Sequence, residues 1–159
     1  MVEIIVFITG LVLDRLSKMW ISSNFVGKST HIINGILDFT YAENTGAAFG
    51  MFSGGTWFLT VFTIAVCAGI AAMLIFYWKN FSKLTRFSLA MILSGAVGNL
   101  IDRLMLGMVV DFIELTFVNF AIFNIADIFI TMGTILLILS ILFTEMDLKK
   151  KNTSDETAD

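Results

Sequence analysis

The sequence has one cysteine, one histidine and no proline in 159 residues, and only 14% of it is charged. A lone Cys67 excludes an internal disulfide, and with His31 as the single histidine no Cys/His metal cluster can be assembled. His31 also lacks an HExxH-type partner or a nearby cysteine nucleophile. The absence of proline is unusual for a membrane protein, and nothing else in the sequence accounts for it. The shortage of charge is the most informative of these features. Soluble domains carry about 25% charged residues, whereas this chain is 57% hydrophobic with a mean hydropathy of +0.89. A compact polytopic membrane protein is the class this composition indicates. The net charge of −3 says little, because the placement of charges matters more than their sum.

Four apolar stretches are candidate spans, at about 2–20, 55–78, 87–106 and 123–143. The first is apolar only to Leu13 and must run on through Asp14, Arg15 and Lys18 to Trp20 to reach the roughly 20 residues a bilayer needs. A cleaved signal peptide would want a basic start and a small-residue cleavage site; Glu3 and the Asp14-Arg15 pair argue for an uncleaved span. Trp57 and Tyr77-Trp78 mark the two interfaces of the second span. In the third, Ala90, Ser94 and Gly98 form a small-residue stripe suited to tight helix contact. Gly95, Asn99 and Arg103 form a polar stripe beside it. Residues 21–54 alternate in a way that suits short strands or an interfacial segment, and 107–122 read as a link. The polar stretch 145–159, with Lys149-Lys150-Lys151, reads as a disordered tail that begins with a juxtamembrane basic patch.

Lys79, Lys83 and Arg86 fall on the same side as the tail lysines, which the positive-inside rule assigns to the cytoplasm. Both termini are then cytoplasmic, and 21–54 and 107–122 lie outside. That arrangement brings Asp14, Asp102, Asp111 and Asp127 to one level, the outer rim of the bilayer. Asp111 and Asp127 are the most telling, because each is set in strongly apolar sequence, where a carboxylate is expensive unless it is used. Two carboxyls held close share a proton. Such a pair suits peptide hydrolysis: the ionised member takes a proton from water and the protonated one hydrogen-bonds the scissile carbonyl. The bland alternatives are a helix-surface ion pair for Asp14 and Lys18, interhelical hydrogen bonding for Asn99, Asp102 and Arg103, and a proton or ion path for the set. A small proton-coupled transporter would place its site nearer the midplane. A non-catalytic scaffold leaves Asp127 unexplained.

Five ordered blocks carry a resemblance: Asp14-x-x-Ser17-Lys18, Asn44-Thr45-Gly46-Ala47-Ala48-Phe49-Gly50, Gly95-x-x-Gly98-Asn99-x-x-Asp102-Arg103, Val109-Val110-Asp111-Phe112-Ile113 and Phe123-Asn124-x-Ala126-Asp127. Together they resemble the lipoprotein signal peptidase (signal peptidase II) family. The spans and the alternating 21–54 stretch predict an all-α membrane protein with four transmembrane helices and a small extracytoplasmic β-like element, and with the resemblance one peptidase domain over 1–144. The resemblance implies an aspartyl endopeptidase of the bacterial cytoplasmic membrane, monomeric and without metal, cofactor or nucleic acid. Its substrates would be prolipoproteins, cleaved just before a cysteine that already carries diacylglycerol, and globomycin would bind it. On the matching positions, Asp111 and Asp127 would be catalytic. Asn44, Gly46, Asn99, Arg103 and Asn124 would bind substrate. Asp14, Lys18 and Asp102 would shape the site from behind. Ala121 departs from the pattern, in which a proline often stands two residues before the Phe-Asn block.

Overall fold

The structure is a computed structural model that describes residues 1–46 and 55–156, with side chains described as far as 144. The chain runs α1 (Val2–Asn24), β1 (Ser29–Ile33), β2 (Leu37–Asn44), α2 (Thr56–Phe76), a single 3-10 turn (Trp78–Asn80), α3 (Lys83–Leu106), β3 (Val109–Leu115) and α4 (Ile125–Glu156). Ala47 to Gly50, the end of the second sequence block, lie outside the described residues.

Among the described residues three helices are long and apolar enough to cross a membrane, Thr56–Phe76, Lys83–Leu106 and Ile125–Thr144. The first expected span is helical as well, but Glu3, Asp14, Arg15 and Lys18 lower its apolarity. Helix α3 is the centre of the bundle. Its small residues Ser88, Ala90, Ser94, Gly95, Ala96 and Gly98 are buried, whereas α2 buries none of its side chains. Small side chains let helix backbones approach where there is no hydrophobic drive between helices in lipid. Ser94 Oγ accordingly donates to the Phe7 carbonyl of α1 at 2.9 Å. Ser82 caps α3 by accepting from the Thr85 N–H at 3.0 Å, and Gly107 ends it in the left-handed region at φ 72°.

The three strands form one antiparallel sheet in the order β1-β2-β3, with irregular register between His31 and Ile33 and between Phe39 and Ala42. Its inner face packs Phe39 and Tyr41 against Ile21, Val110 and Phe112, which fastens the sheet to the end of α1. Strand β3 corrects the expectation that 107–122 is only a link. Val109, Val110, Phe112 and Ile113 are β-branched or aromatic, and β2 offers them an open edge, so the short apolar run becomes a strand. His31 lies in β1, inside the stretch expected to form short strands, and its Nδ1 stands 2.8 Å from Asp38 Oδ1.

Helix α4 also differs from expectation, starting at Ile125 and continuing to Glu156, past residue 145 where a disordered tail was expected to begin. Glu145, Met146, Leu148 and the lysines at 149–151 are good helix formers, so the helix extends beyond its apolar part.

Candidate active site

Helix α4 begins with a reciprocal cap. Asn124 Oδ1 accepts from the Asp127 N–H at 3.0 Å, and Asp127 Oδ2 accepts from the Asn124 N–H at 3.1 Å. This capping box fixes Asp127 in the first turn, where free N–H groups and the helix dipole complement an anion. Strand β3 presents Asp111 to the same place, with only 3% of it exposed. Asn124, fully buried, joins the two carboxylates: its Nδ2 donates to Asp111 Oδ1 at 2.6 Å. The remaining carboxylate oxygens are also bound. Asn44 Nδ2 donates to Asp111 Oδ2 at 2.8 Å, and Asn99 Nδ2 donates to Asp127 Oδ1 at 2.8 Å. Asn44 is itself oriented by the Gly46 N–H, which donates to its Oδ1 at 2.9 Å.

Behind this frame lies a buried ionic cluster. Lys18 Nζ stands 2.9 Å from Asp14 Oδ2 and 3.0 Å from Asp102 Oδ2, with all three side chains at most 2% exposed. Arg15 pairs with Asp102 as well. The surface-pair alternative for Asp14 and Lys18 therefore does not hold. Glycine makes this packing possible: a Cβ on Gly98 would come within 2.6 Å of Asp14 Oδ2, and one on Gly95 would strike the Ala126 carbonyl oxygen.

In front of the frame is a cavity of about 710 Å³. Asn44, Asn99, Arg103, Asp111 and Asp127 line its polar part, and Leu59, Phe62, Val66, Ile92, Ile130 and Met132 line the apolar remainder. The half-buried Arg103 guanidinium lies near the Gly46 carbonyl oxygen at 3.5 Å. Ala121 lines the same cavity. Among the described residues no three His, Cys, Asp or Glu side chains are grouped as metal ligands.

All ten residues singled out from the sequence thus fall in one contiguous region. Sequence reasoning did not single out Arg15. Its spacing of three from Lys18 puts both cations on one face of α1 and could have suggested a shared partner. Nor did it single out Leu59, Phe62 and Val66, which look like any other apolar residues of α2.

Burial first, and then the neighbouring Asp127 charge, push the Asp111 carboxyl up from its ordinary 3.8 to about 6, against the hydrogen bonds of Asn44 and Asn124 and the charge of Lys18. Asp111 therefore keeps its proton to about pH 6 and loses it above. Its contribution to stability is complete below pH 3.8 and is lost as pH rises through about 6. A reaction needing protonated Asp111 should show kcat/KM falling on the alkaline side with a midpoint near pH 6. Asn44→Ala removes a hydrogen bond that favours the ionised form, so that midpoint should move to higher pH. A pH–rate profile in which it stays put or falls would contradict this.

Fold and site together describe a helical membrane protein that holds two carboxylates in an amide frame beside an apolar cavity. The family model described as signal peptidase (SPase) II matches residues 6–143. The lipoprotein signal peptidase of Clostridioides difficile (strain 630) is 41% identical over 150 residues, covering 91% of this chain and 97% of that protein. That of Lactococcus lactis subsp. lactis (strain IL1403) is 39% identical over 144 residues, 89% of this chain and 94% of the relative. A bacterial membrane enzyme solved by the in meso method at 2.3 Å resolution superposes with a TM-score of 0.83 at 31% identity, covering 92% of this chain and 90% of that one. The chain belongs to the signal peptidase II family.

Proposed function

We propose that this protein is an intramembrane aspartyl endopeptidase that removes the signal peptide from diacylglyceryl-modified prolipoproteins, cutting just before the lipidated cysteine. The supporting observation is that Asp111 and Asp127 meet on one framework of asparagine amides at the polar end of an otherwise apolar cavity. The relatives' name, lipoprotein signal peptidase, supports the substrate class.

In this reading ionised Asp127 takes a proton from a water molecule, whose oxygen adds to the scissile carbonyl carbon. Protonated Asp111 hydrogen-bonds the carbonyl oxygen as negative charge develops there. Collapse of the tetrahedral intermediate breaks the C–N bond, and the proton taken by Asp127 passes to the departing amine. Asn44, Asn99 and Asn124 hold the carboxylates while Gly46 and Arg103 bind the peptide near the cut. The apolar part of the cavity takes apolar portions of the substrate, and globomycin competes for it.

Four spans fit this assignment. Helix α1 is 23 residues long, and its charges at Asp14 and Lys18 are buried and paired inside the bundle rather than turned to lipid. Glu3, at its end, pairs with Arg86 at 3.3 Å. With Lys79, Lys83 and Arg86 cytoplasmic, both termini are cytoplasmic. The active site then opens near the outer face of the bacterial cytoplasmic membrane, and the protein acts as a monomer.

The test is a gel-shift assay in liposomes with a diacylglyceryl-modified prolipoprotein and an unlipidated control. Cleavage of the modified substrate alone is expected. A folded protein that cleaves neither substrate but conducts protons would replace the peptidase reading with a proton path.

A further inference from the structure

Lys18 is placed to do more than neutralise two buried carboxylates. Besides Asp14 and Asp102, its Nζ donates to Asn99 Oδ1 at 2.9 Å. An ammonium has hydrogens to give and no lone pair to offer, so Asn99 must turn its oxygen toward Lys18. Its Nδ2 then has one direction left, and it donates to Asp127 Oδ1 at 2.8 Å. Asn124 Nδ2 also reaches Asn99 Oδ1 at 3.1 Å, but it serves Asp111 Oδ1 and the Val110 carbonyl as well. With two hydrogens for three acceptors Asn124 cannot serve Asn99 fully, and Lys18 is the shorter of the two contacts to Asn99 Oδ1.

The same cation also touches both carboxylates that hold the backbone beside the aspartates, sharing Asp102 with Arg15. Asp14 Oδ1 accepts from the Ala126 N–H at 3.0 Å, and Asp102 Oδ2 accepts from the Val110 N–H at 3.3 Å. Ala126 immediately precedes Asp127, and Val110 immediately precedes Asp111.

We propose that Lys18 is a positioning residue that acts through Asn99, locking the amide in the one orientation that presents N–H, and not oxygen, to Asp127. The inference rests on the reading of Asp111 and Asp127 as the catalytic pair. With the lock gone, Asn99 can turn its oxygen to Asp127. Two acceptors would then face one another, and the carboxylate must move away or bind a proton. Either outcome removes the base that activates water while leaving the substrate cavity in place.

The experiment is a double-mutant cycle on kcat, with KM and thermal midpoints measured in the same micelles. Lys18→Met should lower kcat about 10- to 100-fold, the range for losing a hydrogen bond to a charged group, with KM within about twofold. Asn99→Ala should lose a similar factor. The double variant should fall no more than about threefold below Asn99→Ala alone, because the lock then has nothing to hold. Losses that multiply would overturn the proposal, since a merely structural lysine acts whether or not Asn99 is present. If Lys18→Met does not fold, the cycle is run with Lys18→Met/Asp14→Asn, which restores the local charge balance. Asp127→Asn is assayed alongside. Full activity in that variant would remove the catalytic-pair reading itself, whereas an inactive Asp127→Asn with multiplying losses would remove only the lock.

Discussion

Asp127→Asn is expected to reduce turnover on the order of 10²- to 10⁴-fold while the protein stays folded in detergent. Asparagine keeps the shape and one acceptor oxygen, so of the two bonds Asp127 accepts, from Asn99 Nδ2 and from the Asn124 N–H, one is lost at about 1–3 kcal/mol. It cannot accept a proton from water at any working pH, and that loss falls entirely on the chemical step. Asp111→Asn should be as severe for a different reason. An amide can still hydrogen-bond a carbonyl, but one of its faces now presents N–H to a donor, either Asn44 or Asn124, each of which donates to Asp111 in the native frame. Because the two carboxyls act as a unit, the double variant should be no worse than either single one. Cleavage assays beside thermal melts decide the matter. A folded single variant keeping more than about a tenth of wild-type activity would take that residue out of the chemistry.

Much of this site could be read from sequence because expense in a membrane leaves a visible mark. Asp127 is followed by seventeen residues without charge, and the polar stripe of Gly95, Asn99 and Arg103 interrupts an otherwise apolar helix. The helices could be read for the same reason, since length and apolarity define them. Strand β3 was not legible, because the short run from Val109 to Ile113, interrupted by Asp111, fits a strand, a link or a helix end until its partner is known. Its partner β2 lies more than 60 residues earlier in the chain. The extension of α4 is not marked in the sequence, because the apolar run ends at Thr144, well before the helix does. The orientation of the amides lay furthest out of reach. Asn44, Asn99 and Asn124 are visible as residues, but which end of each faces a carboxylate depends on donors from Gly46, Lys18 and the α4 backbone.

The closeness of α3 to α4 yields the second large effect, Gly95→Ala. A Cβ there would strike the Ala126 carbonyl oxygen and lie 2.8 Å from Ile130 Cγ1. The first of these is backbone and has no rotamer to escape into, so α4 must move away at its amino-terminal turn. That turn holds the Ala126 N–H bonded to Asp14 and, one residue on, Asp127 itself. Overpacking of this kind costs about 1–3 kcal/mol. A shift of about 1 Å at a catalytic group can cost about 100-fold in rate. Stability and activity should therefore fall together in Gly95→Ala, with the thermal midpoint lower and kcat reduced at least about tenfold. Gly69→Ala is the matched comparison, a glycine inside α2 whose added Cβ would meet no atom within 4 Å. It should leave activity unchanged and raise stability by at most about 1 kcal/mol, through helix propensity alone. Equal behaviour of the two variants in melts and cleavage assays would mean that the α3–α4 approach is looser than its geometry indicates. The alignment of Asp127 would then have to depend on its cap and its amide partners rather than on the fit between these helices.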